Sequence, residues 1–76
     1  MTQFEWQRTF GDNLASILEE QGMNQSQLAR DAGLSVSRIS DYINKRAVPS
    51  VFAIINMAYA LDMSIDEFID FDERIE

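Results

Sequence analysis

Residues 24–46, NQSQLARDAGLSVSRISDYINKR, hold two sets of helix start signals and a glycine stop within 23 positions, which leaves little freedom in how this stretch folds. Asn24 with Gln27 three residues later is the spacing of a reciprocal N-terminal cap, so a helix begins there. Leu28, Ala29 and Ala32 fall on one face of it, while Gln25, Gln27, Arg30 and Asp31 point elsewhere. Gly33 ends that helix, because glycine takes the positive φ of a helix end without steric penalty. The turn is Gly33-Leu34-Ser35, with Ser35 placed to cap a second helix. Ile39, Tyr42 and Ile43 form the inward stripe of the second helix, over Leu34. Val36, Ser37, Arg38, Ser40, Asp41 and Asn44 are left for the outer face, and Lys45 and Arg46 sit at the end.

The order Q-x-x-L-A-x-x-A-G-L-S-x-x-x-I-S-x-Y-x-N from Gln25 to Asn44 resembles the Cro and lambda-repressor type of helix-turn-helix regulators, the xenobiotic-response-element-like family. Pro49-Ser50 and the later run A-x-A-L-D-M-S-I-D-E-F follow at the family's usual distances, so the likeness covers about residues 10–69. It implies an all-α, five-helix lambda-repressor-like domain that binds double-stranded DNA, with its second helix crossing the backbone and its third in the major groove. The residues so implied at the DNA are Ser35 at the turn, Val36, Ser37 and Asp41 as base readers, and Arg38 and Ser40 beside them. Gln25 and Asn44 are implied phosphate clamps, and Lys45 and Arg46 phosphate contacts.

Each of these side chains also has a plainer use. Gln25 and Asn44 can serve as ordinary caps, and Arg38 can pair with Asp41 three residues on instead of gripping guanine or phosphate. Asp41 can accept from a cytosine amino group or pair with Lys45 at i,i+4. Val36 can touch a thymine methyl or be half-buried at the helix start, and Lys45 and Arg46 suit a solvated helix end. Two positions depart from the family pattern, Lys45 where glycine is frequent and Ile43 where glutamate is. If the helix ends in a left-handed residue, Asn44 is the less strained choice.

Composition bounds the alternatives. Seventy-six residues make a single domain, with residues 1–9 an N-terminal extension of the first helix and 70–76 an acidic tail. With neither cysteine nor histidine the chain lacks the thiolate and imidazole ligands of small metal sites, so no metal or cofactor is expected. An enzyme is disfavoured on the same grounds, because the carboxylates are spread over outer faces. No long apolar run or secretion signal is present, and the chain is expected to be soluble and cytoplasmic, with no membrane partner. The formal charge of −7 weighs against nucleic acid, yet residues 1–20 carry −3, residues 21–50 carry +2 and residues 51–76 carry −6. The one net-basic segment is the motif, and screening over about 8–10 Å makes local charge decide contact.

Outside the motif, Thr2 and Glu5 form a candidate capping box for a first helix from about Thr2 to Gln21, its face set by Phe10, Leu14, Ile17 and Leu18. Gly11 within it costs about 1 kcal/mol relative to alanine, so the preceding TQFEWQRTF is expected to be frayed or a separately packed turn. Phe4 and Trp6 there form either a lid on the core or a partner contact. Pro49 breaks the chain before a fourth helix from about Ser50 to Leu61, with a stripe of Val51, Ile54, Ile55, Ala58 and Leu61. Phe52, Met57 and Tyr59 make this helix apolar almost all round, so Phe52 and Tyr59 either lie under helix 1 or form a symmetric interface. Ser64 and Glu67 cap a short fifth helix bearing Ile65, Phe68 and Ile69, which Phe71 and Ile75 could extend into a dimer seam.

The expectation is therefore a sequence-specific transcriptional regulator, a repressor, acting as a homodimer on a near-palindromic site. The competing expectation is a protein-interaction module on the same fold, antitoxin-like or antirepressor-like, that engages a protein partner through helix 4 or the acidic tail.

Overall fold

Five side chains at helix starts each accept a backbone amide: Thr2 from Glu5, Asn24 from Gln27, Ser35 from Arg38, Ser50 from Ala53 and Ser64 from Glu67. In a computed structural model, which describes residues 1–70, these caps open α1 (Gln3–Gln21), α2 (Gln25–Ala32), α3 (Val36–Ile43), α4 (Val51–Ala60) and α5 (Ile65–Ile69). The described residues contain no strand, and the fold is all-α. Thr2, Asn24 and Ser64 belong to full capping boxes, with Glu5, Gln27 and Glu67 reaching back to the cap amides. Hydrogen bonds from the Thr2 hydroxyl and amide hold the Glu5 carboxyl below its ordinary range. Because that folded value is depressed, this box contributes fully above the usual glutamate range and fades as pH falls through the lowered value.

α1 is one continuous helix with the expected bounds, so the segment before Gly11 is neither frayed nor a separate turn. The capping box fixes its first turn, and Trp6 stacks on Phe10 with centroids 5.0 Å apart and planes at 8°. Trp6 thus does cover the core, whereas Phe4 is 71% exposed with the Arg8 guanidinium 5.5 Å above its ring.

Four helix ends share one design. A residue with positive φ follows α1, α2, α3 and α4: Gly22 (64°), Gly33 (70°), Lys45 (63°) and Asp62 (57°). The next amide then reaches back to a carbonyl five residues earlier, as Met23 does to Leu18 at 2.9 Å and Arg46 to Asp41 at 2.8 Å. The left-handed residue that ends α3 is Lys45 and not Asn44, the less strained choice, which stays right-handed at φ −86°. The Asn44 side-chain amide donates to the Ser40 carbonyl at 2.9 Å, which keeps Asn44 on the helix and moves the reversal to Lys45. Replacing Asp62 by glycine removes the steric penalty of a non-glycine left-handed residue, roughly 1 kcal/mol. Asp62→Gly is expected to raise the thermal midpoint by about 4–8 °C, read by circular dichroism against the parent protein.

Phe10 is the centre of the core, with edge contacts to Tyr42 at 6.4 Å and to Phe68 at 5.4 Å that join α1 to α3 and α5. Leu14, Leu28, Ile39, Met57 and Leu61 are fully buried around it. Asn13 is also buried, and its side-chain nitrogen has no hydrogen-bond partner among the described residues. α3 packs on α1 and α2, α2 packs on α4, and α4 packs on α5.

The face of α4 keeps Ala58, Leu61 and the half-buried Ile54 of the expected stripe and departs from it elsewhere. Ala53, Met57 and Ala58 turn inward with Leu61, while Val51 and Ile55 are exposed. Two of these four inward residues are alanines, so side-chain size does not mark the core side of α4. Phe52 is 76% and Tyr59 86% exposed, so neither lies under α1. In α5, Phe68 is buried and Ile69 half-buried, but Ile65 is exposed. Phe71, Ile75 and the acidic tail beyond Asp70 lie outside the described residues. No helix among the described residues is long and apolar enough to cross a membrane.

Candidate nucleic-acid interface

The α2–turn–α3 unit is built by local chemistry. Gln27 and Asn24 cap each other at 2.8 and 2.9 Å, and Gly33 turns the chain. Ser35 Oγ then accepts the Arg38 amide at 3.1 Å to start α3. Ile39 and Tyr42 bury one side of α3, with Leu34 and Ile43 half-buried beside them. The opposite side faces solvent: Val36 is 47% exposed, and Ser35, Ser37 and Arg38 are exposed with it. Ser40 and Asp41 are half-buried at its edge, and Gln25 is half-buried in the first turn of α2.

Neither ion pair expected within α3 forms. Asp41 Oδ1 takes Arg46 Nε at 3.2 Å, and Lys45 Nζ meets Asp12 Oδ1 on α1 at 2.7 Å. The left-handed turn at Lys45 explains both, since it swings Arg46 back over Asp41 and sends the Lys45 side chain toward α1. Arg38 makes no ion pair among the described residues, so its guanidinium stands clear on the exposed side. The Asn44 amide, implied to clamp phosphate, is engaged with the Ser40 carbonyl at 2.9 Å and hydroxyl at 3.1 Å.

The two ion pairs involve partly exposed side chains, and such pairs contribute at most about 1 kcal/mol. Lys45 and Arg46 can therefore exchange their carboxylates for phosphates at little penalty. Beside α3, Arg38, Asp41, Tyr42, Ala47, Val48 and Ser50 line an open hollow of about 290 Å³. Arg38 shares this hollow with Asp41, and Arg46 bonds to Asp41, so donors and an acceptor stand together on this surface, a mixed pattern suited to base edges and backbone.

Three supporting residues escaped the sequence reading: Gln7, Gly11 and Asp12 of α1. The Gln7 side-chain amide donates to the Lys45 carbonyl at 2.8 Å, and a Cβ at Gly11 would lie 2.7 Å from the Tyr42 carbonyl oxygen. Their partners are more than 30 positions away, beyond any spacing rule.

A family model described as Helix-turn-helix matches residues 14–68. The chain belongs to the helix-turn-helix family. This is a family of non-enzymatic DNA-binding regulators of transcription, so the helix-turn-helix chain has α3 exposed where such a protein meets DNA. Its fold is similar to that of the restriction-modification controller protein C.AhdI from Aeromonas hydrophila, at 27% identity and a TM-score of 0.79, covering 82% of this chain and 94% of that one. It is also similar to a tyrosine-to-phenylalanine variant of the restriction-modification controller protein C.Esp1396I, at 21% identity and a TM-score of 0.86, covering 99% and 95%. A hypothetical transcription factor, NHTF from Neisseria, gives 22% identity and a TM-score of 0.78, covering 92% and 84%. A search of the curated proteins finds no match.

Proposed function

We propose that this helix-turn-helix protein is a sequence-specific repressor that binds a near-palindromic duplex as a homodimer and reads the major groove with α3. The observation that carries the reading is the exposed side of α3, where Val36, Ser37 and Arg38, which makes no ion pair among the described residues, project from a helix locked by its cap and by Tyr42 against Phe10. Ser35, Val36, Ser37, Arg38, Ser40 and Asp41 meet base edges or the flanking sugar-phosphate, and Gln25, Lys45 and Arg46 meet phosphates, while the Asn44 amide stays on Ser40. The likeness to C.AhdI, a restriction-modification controller protein, supports the regulator reading. One module touches few phosphates, so two copies on half-sites about one helical turn apart supply useful affinity.

Selection of bound sequences from random duplex DNA followed by gel shift tests this. With roughly six phosphates neutralised per dimer, the logarithm of affinity should fall with that of salt at a slope of about −5. Arg38→Ala should lower affinity for the selected site about tenfold, within the roughly 1–3 kcal/mol of one good base contact. An unenriched pool, or binding indifferent to both salt and Arg38→Ala, would sink the reading. The apolar outer face of α4 would then favour the protein-interaction module, with capture of a defined partner as its positive evidence.

A further inference from the structure

Among the described residues, Lys45 and Asp62 are the non-glycine positions with left-handed backbone, and Lys45 alone of these stands at the end of the reading helix. Such strain persists where the surroundings over-determine it, and it clusters at functional sites. The surroundings here come from α1. Gln7 and Gly11, four apart and so on one face, meet the last turn of α3, with Asp12 beside them. The Gln7 amide takes the Lys45 carbonyl at 2.8 Å, Asp12 takes the Lys45 ammonium at 2.7 Å, and the missing side chain at Gly11 lets α1 lie against the Tyr42 and Ile43 carbonyls. All three precede residue 14, where the family match begins.

We infer that Gln7 is a positioning residue for DNA reading: its hydrogen bond to the Lys45 carbonyl fixes the left-handed end of α3 and thereby the direction of Lys45 and Arg46. The inference rests on the reading that α3 enters the major groove. The carbonyl at a helix end otherwise faces water, and a donor held at a fixed point on a rigid neighbouring helix orients it. Asp12 holds a flexible side chain through a surface ion pair that phosphate can replace, whereas Gln7 holds backbone, which the DNA does not displace. The residue therefore acts on where the basic end of α3 points and not on how much charge it carries.

The test compares parent, Gln7→Ala and Gln7→Lys, the last keeping a donor long enough to reach the carbonyl. Each is titrated against a duplex recovered by selection from random DNA and against an alternating inosine–cytosine duplex, with amide hydrogen exchange recorded on the free protein. Gln7→Ala is expected to weaken the selected duplex about fivefold, leave the inosine–cytosine duplex within twofold, and speed exchange at Arg46 but not in α2. Gln7→Lys should restore both. A purely structural role would lower both affinities in proportion to the folded fraction, and that result overturns the inference, as does unchanged exchange at Arg46. Failure of the parent to enrich any sequence removes the groove-reading proposal itself, and with it the role of Gln7.

Discussion

Glutamate placed at Phe52 and Tyr59 together is expected to leave the monomer folded and to lower affinity for a selected duplex at least about a hundredfold. Both side chains stand on the outer face of α4, 76% and 86% exposed, and neither contributes to the core. Exposed substitutions of this kind usually change monomer stability by no more than about 0.5 kcal/mol. In a homodimer built on this face the same two positions become apolar contacts, flanked by Val51 and Ile55. Each interface would then contain four new carboxylates across the two-fold axis, with no basic residue on α4 to meet them. Loss of the pair leaves one half-site, and the difference between specific dimer binding and non-specific binding is typically 10³-fold or more. Sedimentation equilibrium and gel shift on the double variant measure the two effects side by side. A variant that stays dimeric with full affinity would move the interface to the Phe4 side of α1 or to the C-terminal end. A parent protein that is monomeric at binding concentrations would remove the paired-site proposal.

What could be read from the chain and what could not divide along sequence separation. Caps and stops work within about five residues, so Asn24 with Gln27, Ser35 before α3, and Gly22 and Gly33 after α1 and α2 fix the boundaries of the motif from local chemistry alone. The outward set on α3 follows from its period, because Ile39 and Tyr42 admit one inward side only. On α4 the same reasoning fails, since a helix apolar all round has no preferred face and the alanines that decide its phase carry little weight in a hydrophobic stripe. The charge pairing at the end of α3 fails for another reason. Asp41 had two local cations within helical reach in Arg38 and Lys45, but the left-handed Lys45 redirects the chain and gives it Arg46 instead. Lys45 pairs with Asp12 across the fold, a contact that depends on how α1 crosses α3. The exposed face of α3 was therefore legible, and the α1 residues that hold the end of that helix were not.

Gly11→Ala separates local propensity from tertiary approach, because the two predict opposite signs. Inside a helix, alanine for glycine is worth up to about 1 kcal/mol of stabilisation, and α1 is continuous through this position. The tertiary effect runs the other way. A Cβ at Gly11 would lie 2.7 Å from the Tyr42 carbonyl oxygen, 3.0 Å from that of Ile43 and 3.2 Å from Lys45 Cγ. The lysine carbon can move aside, but the two carbonyls are backbone in the last turn of α3. Relieving them means lifting α3 from α1, which loosens the Phe10–Tyr42 contact and the Gln7–Lys45 hydrogen bond. Overpacking of this kind costs roughly 1–3 kcal/mol or more, and against a backbone neighbour the upper part of that range applies. The net expectation is destabilisation by about 1–2 kcal/mol, a fall in thermal midpoint of roughly 4–16 °C for a domain of this size. Ser16→Ala, an exposed change in the same helix, is the control for propensity and should raise the midpoint slightly. A rise in both variants would show that α1 and α3 separate freely, and the glycine would then have no role in seating the reading helix. A fall in Gly11→Ala alone, accompanied by weaker binding to the selected duplex per folded molecule, ties the approach of the two helices to the pose of Arg38 and the basic residues that follow it.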